Sequence, residues 1–160
     1  MRAEPAGEAP QGFMLPLLLF AGFRAFIDEV HAELARQGHP DLRPAHGFAL
    51  QAVGGAGVTA GELGRRLGVS KQAAGKTVDR LAGLGYVERV DDPVDARRKH
   101  VRLTARGHDV LARSAAVMES LRARWADVLG EERLRDLEQG LRTVVPGDHF
   151  RLDAPTWFGA

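Results

Sequence analysis

The eight residues Ser70-Lys71-Gln72-Ala73-Ala74-Gly75-Lys76-Thr77 come nearest, in type and spacing, to a chemical motif in this 160-residue chain. Four free positions followed by Gly-Lys-Thr close a phosphate-binding loop, whose bare backbone N–H groups cradle phosphates at the head of a helix. Such a loop opens on glycine, and here that place holds Ser70. It also needs a strand to feed it. The residues upstream, Thr59-Ala60-Gly61-Glu62, are instead a capping box, with a threonine hydroxyl at the helix start and a glutamate three residues on. A nucleotide-binding enzyme built on this string therefore lacks its upstream element. No Gly-X-Ser-X-Gly or His-Glu-X-X-His is present, and without cysteine there is no thiol nucleophile, thiol redox sensor or Cys-based zinc site. Six histidines, at 31, 39, 46, 100, 108 and 149, include no pair four apart on one helix. Neither an enzyme nor a resident metal or cofactor is expected.

The elements that must position the string give it different work. A helix opened by Thr59 ends at Leu67-Gly68, the turn is Gly68-Val69-Ser70, and a second helix starts at once. Gly68 supplies the left-handed residue of the turn and Ser70 caps the second helix. This is the spacing of a helix-turn-helix. On its second helix Ser70, Lys71, Gln72, Ala73, Lys76 and Thr77 form a donor-rich N-terminal half, while Val78 and Leu81 point to the core. A recognition helix must be built this way, because its N-terminal residues reach base edges in the major groove. Gly75 inside it costs about 1 kcal/mol against alanine. Close approach of the backbone to DNA is one reason to keep it; a tolerated glycine in a biased composition is the other.

Charge supports the assignment. The net charge is only +1, yet residues 60–106 hold eleven Lys/Arg against six Asp/Glu, so this segment carries +5 and the remainder −4. One part of the chain is built to meet a polyanion. Two strands, Tyr86–Val90 and Lys99–Leu103, follow the second helix, and the hairpin tip between them reads Asp95-Ala96-Arg97-Arg98-Lys99. Three successive cations suit phosphates or a narrow minor groove, and Asp95 can orient Arg97.

Around this lobe lie helices. Residues 1–11 form a loose arm, and Gly12 to Arg36 is a helix with Leu19, Phe23, Phe26, Ile27, Val30 and Leu34 on its stripe. Its most apolar stretch, Phe13 to Ile27, is interrupted by Pro16, Gly22 and Arg24 and is shorter than a bilayer span. No membrane role is expected, and a cytoplasmic location is. Pro44 starts a short helix, Ala45–Val53. Thr104 opens a long one, striped by Val110, Ser114, Val117, Leu121, Trp125 and Val128, and Leu134, Leu137, Leu141 and Val144 mark a last helix before Pro146 and a tail.

Thr59 to Gly107, "TAGELGRRLGVSKQAAGKTVDRLAGLGYVERVDDPVDARRKHVRLTARG", resembles the core of the MarR family of bacterial transcription regulators. The phrase Asp92-Pro93-Val94-Asp95-Ala96-Arg97-Arg98, with Val-Arg-Leu-Thr after it, is similar to that family's wing. The resemblance implies a mainly α fold with a β-hairpin wing: a winged helix-turn-helix lobe over 44–103 within one domain, 12–145, and a dimerisation layer from 12–37 and 104–145. It implies a homodimer on a palindromic duplex, contacts from Ser70, Lys71, Gln72, Ala73, Lys76 and Thr77, and a wing contact from Arg97 with Arg98 and Lys99 beside it. It further implies a repressor released by a small aromatic or anionic ligand, for which Phe20, Phe23, Phe26, His46 and Phe48 are candidates, although aromatics at helical spacing also build cores. Gly64 departs from the family's usual alanine and Gly75 from its commoner Thr or Ser. A non-specific architectural DNA-binding protein is the alternative; Gln72, a base-reading type of side chain, argues against it.

Overall fold

The computed structural model describes residues 11–91 and 99–145. In chain order these form α1 (Gln11–Arg36), α2 (Pro44–Val53), β1 (Val58–Thr59), α3 (Ala60–Leu67), α4 (Lys71–Gly83), β2 (Val87–Asp91), β3 (Lys99–Leu103), α5 (Ala105–Leu129) and α6 (Glu131–Val144). The mainly helical, winged architecture expected from the sequence is the one observed. Asp95, Arg97 and Arg98 at the hairpin tip, residues 1–10 of the expected arm and the tail over 146–160 lie outside the described residues, while Gln11, the last residue assigned to the arm, begins α1.

Local chemistry sets the helix starts. Glu62 N–H donates to Thr59 Oγ1 at 3.2 Å, and Thr59 N–H donates back to Glu62 Oε2 at 2.8 Å, closing the expected capping box. The Thr59 N–H and hydroxyl, both donating to Glu62 Oε2, hold the Glu62 carboxyl below its ordinary pKa. Thr104 caps α5 by accepting from Gly107 N–H at 3.1 Å. Pro44 sits in the first turn of α2, where its missing N–H costs nothing. There the His46 ring takes the place of a capping side chain, its Nδ1 accepting from Arg43 N–H at 3.2 Å.

One element has no counterpart in the sequence pattern. Val58-Thr59 forms a third strand beside β3, pairing Val58 with Val101, so the sheet order is β1-β3-β2. Two residues are too few for alternation to show; only their β-branched side chains carried a signal. Across the hairpin, β2 and β3 pair Val87 with Leu103 and Asp91 with Lys99, in the register that points Val87, Val101 and Leu103 inward.

A single core joins lobe and layer. Val30 and Leu34 of α1, Leu50 and Val53 of α2, Leu63 of α3, Val78 and Leu81 of α4 and Val110 and Leu121 of α5 are all buried in it. Toward the other end of the layer, Phe26 meets Trp125 edge-to-face at 5.6 Å between centroids, and Arg124 pairs with Glu29. After Gly130 (φ +88°) the chain doubles back, and Arg122 of α5 donates to Glu131 at 3.0 Å and Glu138 at 2.8 Å, clamping α6. The helical stripes, by contrast, are only partly covered within one chain. Leu19, Phe23, Leu137 and Val144 are exposed, and Val128 is 84% exposed. Among the described residues no helix is long and apolar enough to cross a membrane.

Candidate nucleic-acid interface

The string Ser70–Thr77 is a cap followed by an uninterrupted helix, which rules out a phosphate loop on backbone geometry. Ser70 is extended (φ −63°, ψ 154°) and its Oγ accepts from Ala73 N–H at 3.1 Å. Gly75 lies mid-helix rather than in a turn. The preceding element is α3, and the turn between the helices is made by Gly68 in the left-handed region (φ +69°, ψ 24°). Val69 N–H then closes on Gly64 carbonyl oxygen at 2.9 Å. This tight return explains Gly64: a Cβ there would stand 2.9 Å from the Val69 carbonyl oxygen.

Helix α4 buries Ala74, Val78 and Leu81 and leaves Ser70, Lys71, Gln72, Ala73 and Lys76 exposed. Ser70 accepts through its oxygen, so its own O–H remains able to donate outward. Thr77 is half-buried and donates Oγ1–H to Ala73 carbonyl oxygen at 3.2 Å, which leaves its oxygen as an acceptor. Gly75 faces open space, with nothing within 4 Å of an added Cβ. The exposed face therefore presents two ammonium groups, an amide and a hydroxyl around a helix N-terminus, whose dipole favours a negative partner.

The structure brings a further cation to this face. An open groove beside α4 is lined by Thr59, Gly61, Glu62, Arg65, Lys71 and Lys99, so Arg65 of α3 joins Lys71 and Lys99. Nothing in the spacing of the first helix singles out Arg65 from the adjacent Arg66, so this residue was not legible in the sequence. Lys99 is paired with Asp91 across the hairpin, an exposed pair that contributes little to stability and can exchange for a phosphate. Arg102 with Glu88 at 2.7 Å and Arg89 with Asp79 at 2.5 Å tie the strands to each other and to α4. Lys71 and Lys76 make no ion pair among the described residues.

The residues named for a ligand pocket are dispersed. Phe20 and Phe23 are exposed, Phe26 packs on Trp125, and His46 is buried in the first turn of α2. Phe48 alone of the five lines the cavity between α1, α2 and α5, with Ile27, His31, Leu42, Leu111 and Met118. That cavity measures about 40 Å³, close to the volume of one water molecule. Burial, then the neighbouring Arg43 and Arg80, push the His46 imidazole below its ordinary pKa; burial does the same to His31. Among the described residues no group of three His, Asp or Glu side chains is placed to hold a metal ion.

Comparison with known proteins agrees with this geometry. The model of the MarR family matches residues 41–98. No curated protein matches the chain. Among solved structures, FabT of Streptococcus pneumoniae, in complex with DNA, is 19% identical and superposes with a TM-score of 0.69 over 84% of this chain and 94% of its own. A mutant form of Escherichia coli MarR is 25% identical, with a TM-score of 0.65 over 88% of this chain and 100% of its own. RV1404 of Mycobacterium tuberculosis is 23% identical, with a TM-score of 0.66 over 90% and 99%. The chain thus matches the MarR family's model over its helix-turn-helix lobe and is similar in fold, along most of its length, to solved MarR structures.

Proposed function

We propose that the protein is a homodimeric, sequence-specific repressor that lays α4 of each protomer into successive major grooves of a palindromic duplex. The observation that carries this reading is the exposed N-terminal half of α4. Its apolar side is fully engaged in the core, and its outer side holds only groups that phosphates and base edges can use. Gln72 is the base reader, through its bidentate amide, and Lys71, Lys76, Arg65 and the Ser70 hydroxyl bind phosphates. Arg97, Arg98 and Lys99 reach the flanking backbone from the wing, with Asp95 orienting Arg97. The solved complex of FabT with DNA supports this use of the fold.

The dimer is supported by the apolar surface that one chain leaves open. Phe13, Leu15, Leu18 and Phe23 on α1 and Leu137, Val144 and Val145 at the other end of the chain are large, apolar and each exposed. Such a surface is that of an interaction face rather than of a monomer. Release by a ligand would use the cavity at Phe48 and His31. At about 40 Å³ it is far below the roughly 300 Å³ of a small-molecule site, so a ligand must part α1, α2 and α5 to enter. Because α2 packs on α3, that movement would re-aim the lobe.

Fluorescence anisotropy with a labelled duplex from the region upstream of the protein's own gene tests the reading. Tight binding that unlabelled unrelated duplex fails to displace is expected. Equal displacement by any duplex would assign the architectural alternative instead.

A further inference from the structure

The histidine at position 39 is 3% exposed and serves no part of the DNA surface, yet it stands where three parts of the molecule meet. Its Nδ1 lies 3.0 Å from the Tyr86 hydroxyl and its Nε2 lies 3.0 Å from Asp109 Oδ2. Hydrogen-bonding capacity fixes the direction of this chain. Arg106 can only donate, and its Nη2 does so to Tyr86 Oη at 3.3 Å and to Gly38 carbonyl oxygen at 2.9 Å. Tyr86 is fully buried, so its one proton goes to His39 Nδ1. His39 Nε2–H then donates to Asp109, which also accepts from Arg113 Nε at 2.8 Å. Arg113 in turn donates to Gln37 Oε1 at 3.3 Å. Residues 106, 109 and 113 share one face of α5 by their three- and four-residue spacing.

Tyr86 gives this network its consequence. Its backbone N–H donates to Leu81 carbonyl oxygen at 2.9 Å, closing the last turn of α4, and its carbonyl oxygen accepts from Thr104 N–H at 3.0 Å at the head of α5. The guanidinium of Arg106 covers its ring at 4.8 Å. Whatever fixes the Tyr86 side chain therefore fixes the C-terminal end of α4 relative to α5. Tyr86 comes from the bend before β2, His39 from the loop after α1 and Asp109 from α5, and no buried side-chain polar atom among the described residues is left unpaired. A network in which every member is satisfied rigidifies the junction it occupies.

We propose that His39 is a positioning residue for DNA recognition: held between the Tyr86 hydroxyl and the Asp109 carboxylate, it locks the C-terminal end of α4 to α5 and thereby sets the distance between the two recognition helices of a dimer. This rests on the dimeric reading above. Affinity of each lobe for its half-site belongs to α4 itself; tolerance of half-site spacing belongs to His39.

The absence of cysteine makes the test clean, since a single Gly83→Cys change places one spin label on α4 of each protomer. Gly83 is exposed and an added Cβ meets nothing within 4 Å. Pulsed dipolar spectroscopy on the full chain then reads the distance between recognition helices directly. A narrow distribution is expected in the His39 protein and a distinctly broader one in His39→Ala. Tyr86→Phe, which removes one hydroxyl, and His39→Gln, which keeps only the reach toward Asp109, should broaden it to a lesser degree and guard against a variant that fails to fold. In parallel, duplexes with identical half-sites and altered spacers should show the preference for the best spacer falling about tenfold in His39→Ala, a size typical of residues that couple distant sites. Base preference within the half-site should not move. Unchanged distance distributions and spacer preference across all three variants would overturn the proposal, even if stability fell. A Gly83→Cys protein with no dipolar signal between labels would overturn the dimer itself.

Discussion

Single atoms decide several outcomes. Gly107, in the first turn of α5, lies so close to the Tyr86 carbonyl oxygen that a Cβ would come within 2.2 Å of it, and the obstacle is backbone. Gly107→Ala should therefore cost about 1–3 kcal/mol or more, read as a lowered urea midpoint at unchanged slope. His46 gives a pH dependence. Its folded-state pKa lies below that of the unfolded chain, so the unfolded state binds the extra proton, and stability present above about pH 6.5 is lost as pH falls through the folded value. His46→Gln should keep the bond from Arg43 N–H, as glutamine does in a capping box, and flatten thermal midpoints measured between about pH 7 and pH 5. His31, shifted in the same direction, leaves the variant a smaller residual slope. At this scale the sequence was most informative where a residue's role is local. Thr59, Glu62, Gly68 and Ser70 announce their caps and turn within four positions. The constraints on Gly107 and His39 come from residues brought near by folding, and spacing along the chain does not contain them.

Among the elements, α4 is where stability and binding are expected to make opposite demands. Gly75 is mid-helix with open space at its Cβ, so Gly75→Ala should stabilise the free protein by about 1 kcal/mol. If the backbone there approaches DNA, the same change should weaken specific binding. A gain in thermal midpoint with undiminished affinity would assign Gly75 to compositional chance. Lys71→Ala should weaken binding evenly across sequences and shallow the dependence of log K on log salt by about 0.9 for each phosphate no longer neutralised. Gln72→Ala should lose about 1–3 kcal/mol at one base pair per half-site and leave the salt dependence alone. The helices and both longer strands were legible from their periods, sharpened at α3, α4 and α5 by a capping side chain. Strand β1 is too short to have a period, and the contribution of Arg65 to the groove depends on how α3 and α4 cross.

For the whole molecule, one chain accounts for the lobe but leaves the apolar surfaces of α1 and α6 open, and the stripes read from sequence could not say which neighbour covers them. The core takes Val30 and Leu34; a second chain is expected to take Phe13, Leu18, Phe23 and Val144. Leu18→Glu should shift the sedimenting species from dimer toward monomer and lower operator affinity with it. The central claim, that paired α4 helices read one duplex, is tested most directly by selecting bound duplexes from a randomised pool with the full-length protein and sequencing them. The account predicts a two-fold symmetric motif that loses definition at one position per half-site in Gln72→Ala. A selected pool no different in sequence from the starting pool would contradict it.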